Sequence, residues 1–372
     1  MPPPYHLVGF GEAMVRLCPP GFGRLEVATS LEMQPGGAEL NTAVGLVRLG
    51  EAPGLSAAWV SRLPRNGLGR FIAGKAREHG VTTDHLVWDD DPDARCGTYF
   101  LEEGAAPRAS SVLYDRINSA CARLRPDEVD WPALLAGTRY FLVTGITPAL
   151  SPGCLDATRQ AMRAARDAGA QVVFDPNFRS KLWSVAAAKA VYLELAPLVD
   201  ILSCAAEGLR LFYDVQEDDP APVALDRFGL RAVVMTSRTE LGMWRNRVGA
   251  TVVARGAAGG VEIHRDRERE VEIVDRLGAG DAFLSGFLYG LLTDARGALA
   301  PGGAAPDWAR ATAYGGAAAA LKHSIRGDFP VLTAPEVRQE IESPALRVQR
   351  CAGTSCRASK RGSARAGGSG WG

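Results

Sequence analysis

The sequence predicts an α/β protein, a three-layer sandwich in which helices cover both faces of a mostly parallel sheet, with a smaller sheet set apart. Two observations carry this. From residue 139 onward, strand-like apolar runs alternate with segments of helical spacing, the pattern of strand–helix–strand units. By contrast, CGTYFLEE (96–103) and SSVLYDR (110–116) alternate polar and apolar residues, so they read as half-exposed strands outside the main core.

Taken in order, residues 6–11 read as a first strand, followed by a Pro/Gly-rich stretch and helical spacing from about 41 to 49. LSAAWVS (55–61) reads as a buried strand and 67–78 as a helix. YFLVTG is the first strand of the regular half. Ser151-Pro152 then supplies a cap and first turn for a helix to about 168. VVFD (172–175), a helix from about 184, DILSC (200–204) and AVVMTS (232–237) continue the alternation, and helices near 281–293 and 307–321 close it. Ligands of such sheets gather at the carboxyl ends of the strands, where Asp175, Asn177, Glu207 and Thr236 lie.

The composition is that of a soluble globular chain: 372 residues, 47% hydrophobic and 23% charged. Forty-two basic residues balance 42 acidic ones, so no overall field draws the chain to nucleic acid or membrane. The N-terminus lacks the basic and apolar regions of a secretory signal, and no run approaches the ~18 apolar residues of a membrane span. Seven scattered cysteines, without a CxxC, argue against a zinc site or disulfide framework and fit a reducing cytoplasm.

Two glycine motifs imitate nucleotide sites without meeting their requirements. GRFIAGKA (69–76) nearly matches a P-loop, but Ala76 stands where a hydroxyl must hold Mg²⁺, and the segment has helical spacing. GFGEAM (9–14) has Met14 in place of the third glycine of a dinucleotide fingerprint.

DRLGAGDAFLSGFLYGLL (275–292) is different: Gly278, Gly280 and Asp281 precede an apolar run with one buried helical face. A helix N-terminus offers free amides and a positive dipole end, which bind anions. Asp281 would repel a phosphate, so an anion site alone does not explain it. Phosphoryl transfer explains both features: amides of 278–280 hold the charge on the transferred group, and the carboxylate accepts the proton of the attacking hydroxyl. A second pair, Gly36-Gly37, precedes a helix carrying Asn41, whose amide can pair with polyol hydroxyls as donor and acceptor.

GGAELNTAVGLVRLG (36–50) and DRLGAGDAFLSGFLYGLL together resemble the two signature segments of the ribokinase-like sugar kinases, the PfkB group, over about residues 5–335. The resemblance implies a ribokinase-like sandwich over residues 1–345 with a β-lid from about 12–35 and 95–118. It implies Asp281 as catalytic base, Gly278, Ala279 and Gly280 as anion hole, and ATP with Mg²⁺ as phosphoryl donor, and it admits a monovalent cation. Thr236, Arg238 and Gly242, with Gly278 and Gly280, would meet the nucleotide.

CGTYFLEEGAAPRASSVLYDR (96–116), FDPNFRSKLW (174–183) and ALKHSIRGDFP (320–330) resemble the 2-keto-3-deoxygluconate kinases in particular. That substrate carries a carboxylate, and Arg179 or Arg116 could pair it bidentately. Tyr99 and Tyr114, by the same resemblance, line the lid, while Gly36, Gly37 and Asn41 meet the sugar. The expected reaction is ATP-dependent phosphorylation of the terminal C6 hydroxyl. A kinase of a neutral sugar such as fructose or ribose is the alternative, and a sugar- or nucleotide-binding protein without catalysis is a third reading.

Some positions depart from the pattern. Arg276 and Leu277 replace small residues beside the nucleotide, and Gly316 stands for an Asn of the late helix. The usual Asn-x-x-Glu reads Cys204 to Glu207, leaving Glu207 to act on Mg²⁺ through water. The exposed lid edge invites strand pairing between two copies. The Gly/Ser/Ala-rich basic tail, 346–372, is expected to be disordered.

Overall fold

The computed structural model describes residues 5–50, 54–256 and 259–342, so the tail lies outside the described residues. The chain opens with β1 (Leu7–Phe10), β2 (Met14–Cys18) and β3 (Glu32–Gly36), then enters α1 (Ala38–Leu49). β4 (Ala57–Val60), β5 (Arg62–Pro64), α2 (Gly67–Glu78), β6 (Val87–Asp89), β7 (Thr98–Glu102) and β8 (Ser111–Asp115) follow. The regular half runs α3 (Trp131–Leu135), β9 (Tyr140–Thr144), α4 (Ile146–Ala149), α5 (Pro152–Asp167) and β10 (Gln171–Asp175). It continues with α6 (Val185–Leu195), β11 (Ile201–Ser203), α7 (Ala206–Tyr213) and α8 (Pro220–Arg227). β12 (Ala232–Gly242), β13 (Arg245–Arg255), β14 (Val261–Arg265), β15 (Arg269–Glu272), α9 (Ala279–Leu292), α10 (Trp308–Lys322) and α11 (Ala334–Glu342) complete it.

The main sheet has the order β14-β13-β12-β11-β10-β9-β1-β4, with β15 also paired to β13. From β4 to β12 every pair is parallel; β13, β14 and β15 add an antiparallel margin. Alternate residues of each strand feed two cores. Leu7, Leu142 and Val173 face α1, α9 and α10, whereas Val8, Phe141 and Phe174 face α5, α6 and α8. This is the ribokinase-like three-layer sandwich. Helix starts follow their caps: Asn66 accepts from the amides of Leu68 and Gly69, Ser151 from Cys154, and Ser184 from Ala187.

α9 departs from the expectation of one buried face, because residues 282–292 are buried all round. It lies between α1 and α10, and glycines permit the close approach. A methyl at Gly286 would come within 2.4 Å of the Tyr314 carbonyl oxygen, and one at Gly290 within 2.5 Å of Ala311 Cα.

A four-stranded sheet, β3-β2-β7-β8, stands apart from the main one. Arg16 pairs in register with Tyr99, and Tyr99 with Tyr114, so these three side chains share one face. GRFIAGKA lies inside α2, with Ala73 and Ala76 in the core.

Candidate active site

α9 begins immediately after Gly278, which caps it at φ +78°, a left-handed conformation that glycine adopts without strain. Asp281 therefore sits on the first helical turn, where the amides of residues 279–281 precede the first intrahelical bond, Ala282 N to Gly278 O. Among the described residues nothing lies within 4 Å of where a Gly280 side chain would be, so a ligand can approach that backbone directly.

A cavity of about 400 Å³ opens over this turn. Gly278, Ala279, Gly280 and Asp281 line it together with Gly36, Gly37, Asn41, Tyr99, Tyr114, Arg116, Arg179 and Arg238. Segments more than 200 residues apart thus meet, because β1, β10 and β12 all end at the same edge of the sheet.

Burial pushes the Asp281 carboxyl up to about 7, and the carboxylates of Asp175, Asp328 and Glu39 push the same way. A hydrogen bond from Asn41 opposes them. Asp175, at the end of β10, is raised to about 6 by burial, against the Asn177 amide and the Arg179 charge. A carboxyl group poised near neutrality can take a proton from an alcohol during attack and release it afterwards.

Several side chains expected to face the sugar have protein partners. Asn41 Nδ2 donates to Asp281 Oδ2 at 2.7 Å, and Asn41 Oδ1 accepts from the Gly37 amide at 3.2 Å. The Asn41 amide is thus engaged in holding the carboxylate and the Gly37 backbone. Tyr99 donates its hydroxyl to Asp328 at 2.6 Å, with its ring 5.8 Å from that of Tyr114. Arg116 is buried and paired with Glu12, which also accepts from Ser119. Its Nε is buried without a partner among the described residues. Arg179 is exposed and has no carboxylate within ion-pair distance among them.

The nucleotide-side candidates divide among adjoining cavities. Thr236 lines a neighbouring cavity of about 230 Å³ with Cys204 and Gly208, and this space shares Asp175, Asn177 and Gly280 with the first. Gly242 lines a third, of about 590 Å³, between the small sheet and the β12–β13 hairpin. Glu207 is exposed on the first turn of α7 and lines none of these three.

The structure adds a buried ionic cluster that the sequence reading missed. Arg16, on β2, donates to Asp275 at 2.7 Å and to Asp328 at 2.9 Å. Asp275 also accepts from the amides of Leu277 and Gly327 at 3.0 and 2.9 Å. The small sheet is thereby tied to the segment that leads into α9. Asp328 lines the Asp281 cavity, and a methyl at Gly36 would come within 2.5 Å of both its carboxylate and the Tyr99 hydroxyl. Its one local signal was a Gly-Asp turn.

Residues 6–329 match the model of the pfkB family carbohydrate kinases, and the chain belongs to that family. It is an ATP-dependent carbohydrate kinase. The chain is 38% identical to a 2-dehydro-3-deoxygalactonokinase of Haloferax volcanii, over 92% of its own length and 99% of the relative. A 2-dehydro-3-deoxygluconokinase of Bacillus subtilis is 30% identical over 77% of this chain and 82% of that one. The crystal structure of a 2-dehydro-3-deoxygluconokinase from Thermotoga maritima superposes with a TM-score of 0.81 at 32% identity, covering 91% of this chain and 98% of the other.

Proposed function

We propose that the enzyme transfers the γ-phosphoryl group of ATP to the terminal C6 hydroxyl of 2-keto-3-deoxygluconate (2-dehydro-3-deoxygluconate), giving the 6-phosphate. One observation supports this above others. A single cavity joins a carboxylate raised toward neutrality, free amides at a helix start, and an arginine without a carboxylate partner among the described residues. A sugar acid uses all three; a neutral sugar leaves Arg179 without a role.

In this reading Asp281 takes the C6 hydroxyl proton as the oxygen attacks phosphorus, and Asn41 keeps the carboxylate aimed. The amides of Ala279 and Gly280, with Gly278 shaping the turn, receive the charge spreading over the phosphoryl oxygens. Arg179 holds the acid end, the unpaired Arg116 Nε offers a second donor, and Tyr99 and Tyr114 cover the sugar as a lid over 12–35 and 95–118. Excluding water there limits ATP hydrolysis. The names of the relatives support a 2-keto-3-deoxy sugar acid and make the galactonate epimer the first competitor to assay.

Thr236, Arg238 and Gly242 lie along the path proposed for the rest of the nucleotide. Among the described residues no group of three or more His, Cys, Asp or Glu could cage a metal. The oxygen donors beside Gly280 suit Mg²⁺, which keeps its waters and takes phosphate oxygens with one or two carboxylates. Asp175, which lines both cavities with Gly280, is one candidate, and exposed Glu207 would act through water. When bound, the ion neutralises phosphate charge. We further propose that two copies pair through the lid, whose edge strand β8 exposes Leu113.

An ADP-release assay across 2-keto-3-deoxygluconate, its galactonate epimer, fructose and ribose, each with and without Mg²⁺, tests the substrate. Faster turnover of a neutral sugar would replace this reading.

A further inference from the structure

Arg276 stands immediately before the Leu277-Gly278 turn that leads into α9. Its backbone is held from both sides. Asp275 is buried and bonded to Arg16, while the Leu277 amide donates to Asp275 Oδ1. The side chain is free to leave this anchor, and it crosses to the β12–β13 hairpin, where Nη2 donates to the Met243 carbonyl at 2.7 Å. Among the described residues no carboxylate lies within ion-pair distance of its guanidinium. Arg276 lines the Asp281 cavity beside Arg238, whose only ion pair among them is a loose 3.7 Å contact with Glu240.

The charge around the cavity gives this placement a consequence. Asp281, Asp175, Asp328, Glu39 and Glu12 line it, and they would repel a polyphosphate. On the sugar side, Arg116 is already bound to Glu12. In the adjoining cavity, which shares Asp175 and Gly280, Cys204 is a buried thiol that burial keeps protonated, donating weakly to its neighbour's carbonyl. That thiol supplies little attraction for phosphate. With Arg179 assigned to the acid end of the sugar, the positive charge left for the nucleotide in this cavity comes from Arg276 and Arg238 on the hairpin side.

We propose that Arg276 is a phosphate-binding residue: with Arg238 it grips the polyphosphate of ATP at the mouth of the anion hole. The Met243 carbonyl holds the guanidinium at the rim until the nucleotide's oxygens compete for it. This rests on the nucleotide entering at the Asp281 cavity. A guanidinium on phosphate is a charge-assisted, two-pronged contact that neither threonine nor glutamine reproduces.

The test measures binding of ATP and of adenosine, separately from turnover, in Arg276→Thr, Arg276→Gln and Arg276→Lys. The expected result is ATP affinity lowered about ten- to hundredfold in the Thr and Gln variants, in keeping with the loss of one charged hydrogen bond. Adenosine affinity and the KM for sugar should stay within about twofold, with partial recovery in the Lys variant. Glutamine can still donate to the Met243 carbonyl. Unchanged ATP affinity in Arg276→Gln would reduce the residue to a hairpin latch and overturn the proposal, as would equal losses for ATP and adenosine. Because the readout is binding, failure here leaves the role of Asp281 standing, and failure of Asp281 as base leaves this result interpretable.

Discussion

Asn41 and Asp281 lie 240 positions apart in the chain, yet their side chains are hydrogen-bonded at 2.7 Å. One comes from the helix after the first glycine pair and the other from the helix after the second. The bond ties the two motifs together: the first helix holds the carboxylate that the second carries.

Asp281→Asn should lower kcat by about 10²–10⁴-fold while sugar binding stays nearly intact, because the amide fits the space but cannot accept the proton. Steady-state kinetics with a separate sugar-binding measurement checks this. A loss confined to KM would remove Asp281 from the chemistry.

The pH profile follows from the same group. The base works only when ionised, and its carboxyl is raised to about 7. kcat/KM should rise with pH below that value and level off above it. Asp281→Asn should lose this step, and a step that persists in the variant belongs to another group.

Stability should move the opposite way. The folded carboxyl titrates near 7, far above its ordinary value of 3.8. Between these pH values the folded state binds more protons, so stability falls as pH rises, and above about 7 the loss is complete. Asp281→Asn removes that loss. Its melting temperature should exceed the parent's at pH 8, and the gap should close toward pH 4.

The two arginines proposed for the acid end should separate. Arg179→Ala should raise KM for the sugar acid and spare neutral sugars, with no change in melting. Arg116→Ala should also destabilise the fold by about 3 kcal/mol, because it strands the Glu12 carboxylate in the interior. Thermal melts beside kinetics on both sugar types distinguish them.

Arg16→Met should cost about 3–5 kcal/mol, since Asp275 and Asp328 would be left buried without their cation. Denaturant unfolding measures this. A near-neutral result would mean that the two carboxyls simply take up protons.

The parallel half of the fold was readable because its strands are short apolar runs between capped helices, as Ser151 and Ser184 show. The margin after residue 242 was not. In β13 the segment RNRVGATVVAR begins with charged residues, and β14 and β15 are largely exposed, so neither carries a core signature. Within the site, glycines and Asp281 announce themselves through local spacing. Partners do not: nothing near Arg116 points to Glu12, and nothing near Arg16 points to Asp328. Such pairs depend on which strands become neighbours, which is a property of the whole topology.

The cluster joining Arg16 to Asp275 and Asp328 spans nearly the whole chain. During synthesis Arg16 of β2 precedes by 259 and 312 residues the two acids that bond its buried guanidinium, Asp275 and Asp328. Until then Glu103, beside the same small sheet, is its one carboxylate partner among the described residues, at 3.6 Å. A nascent chain stalled before residue 328 should therefore be protease-sensitive there, because a late segment completes an early sheet.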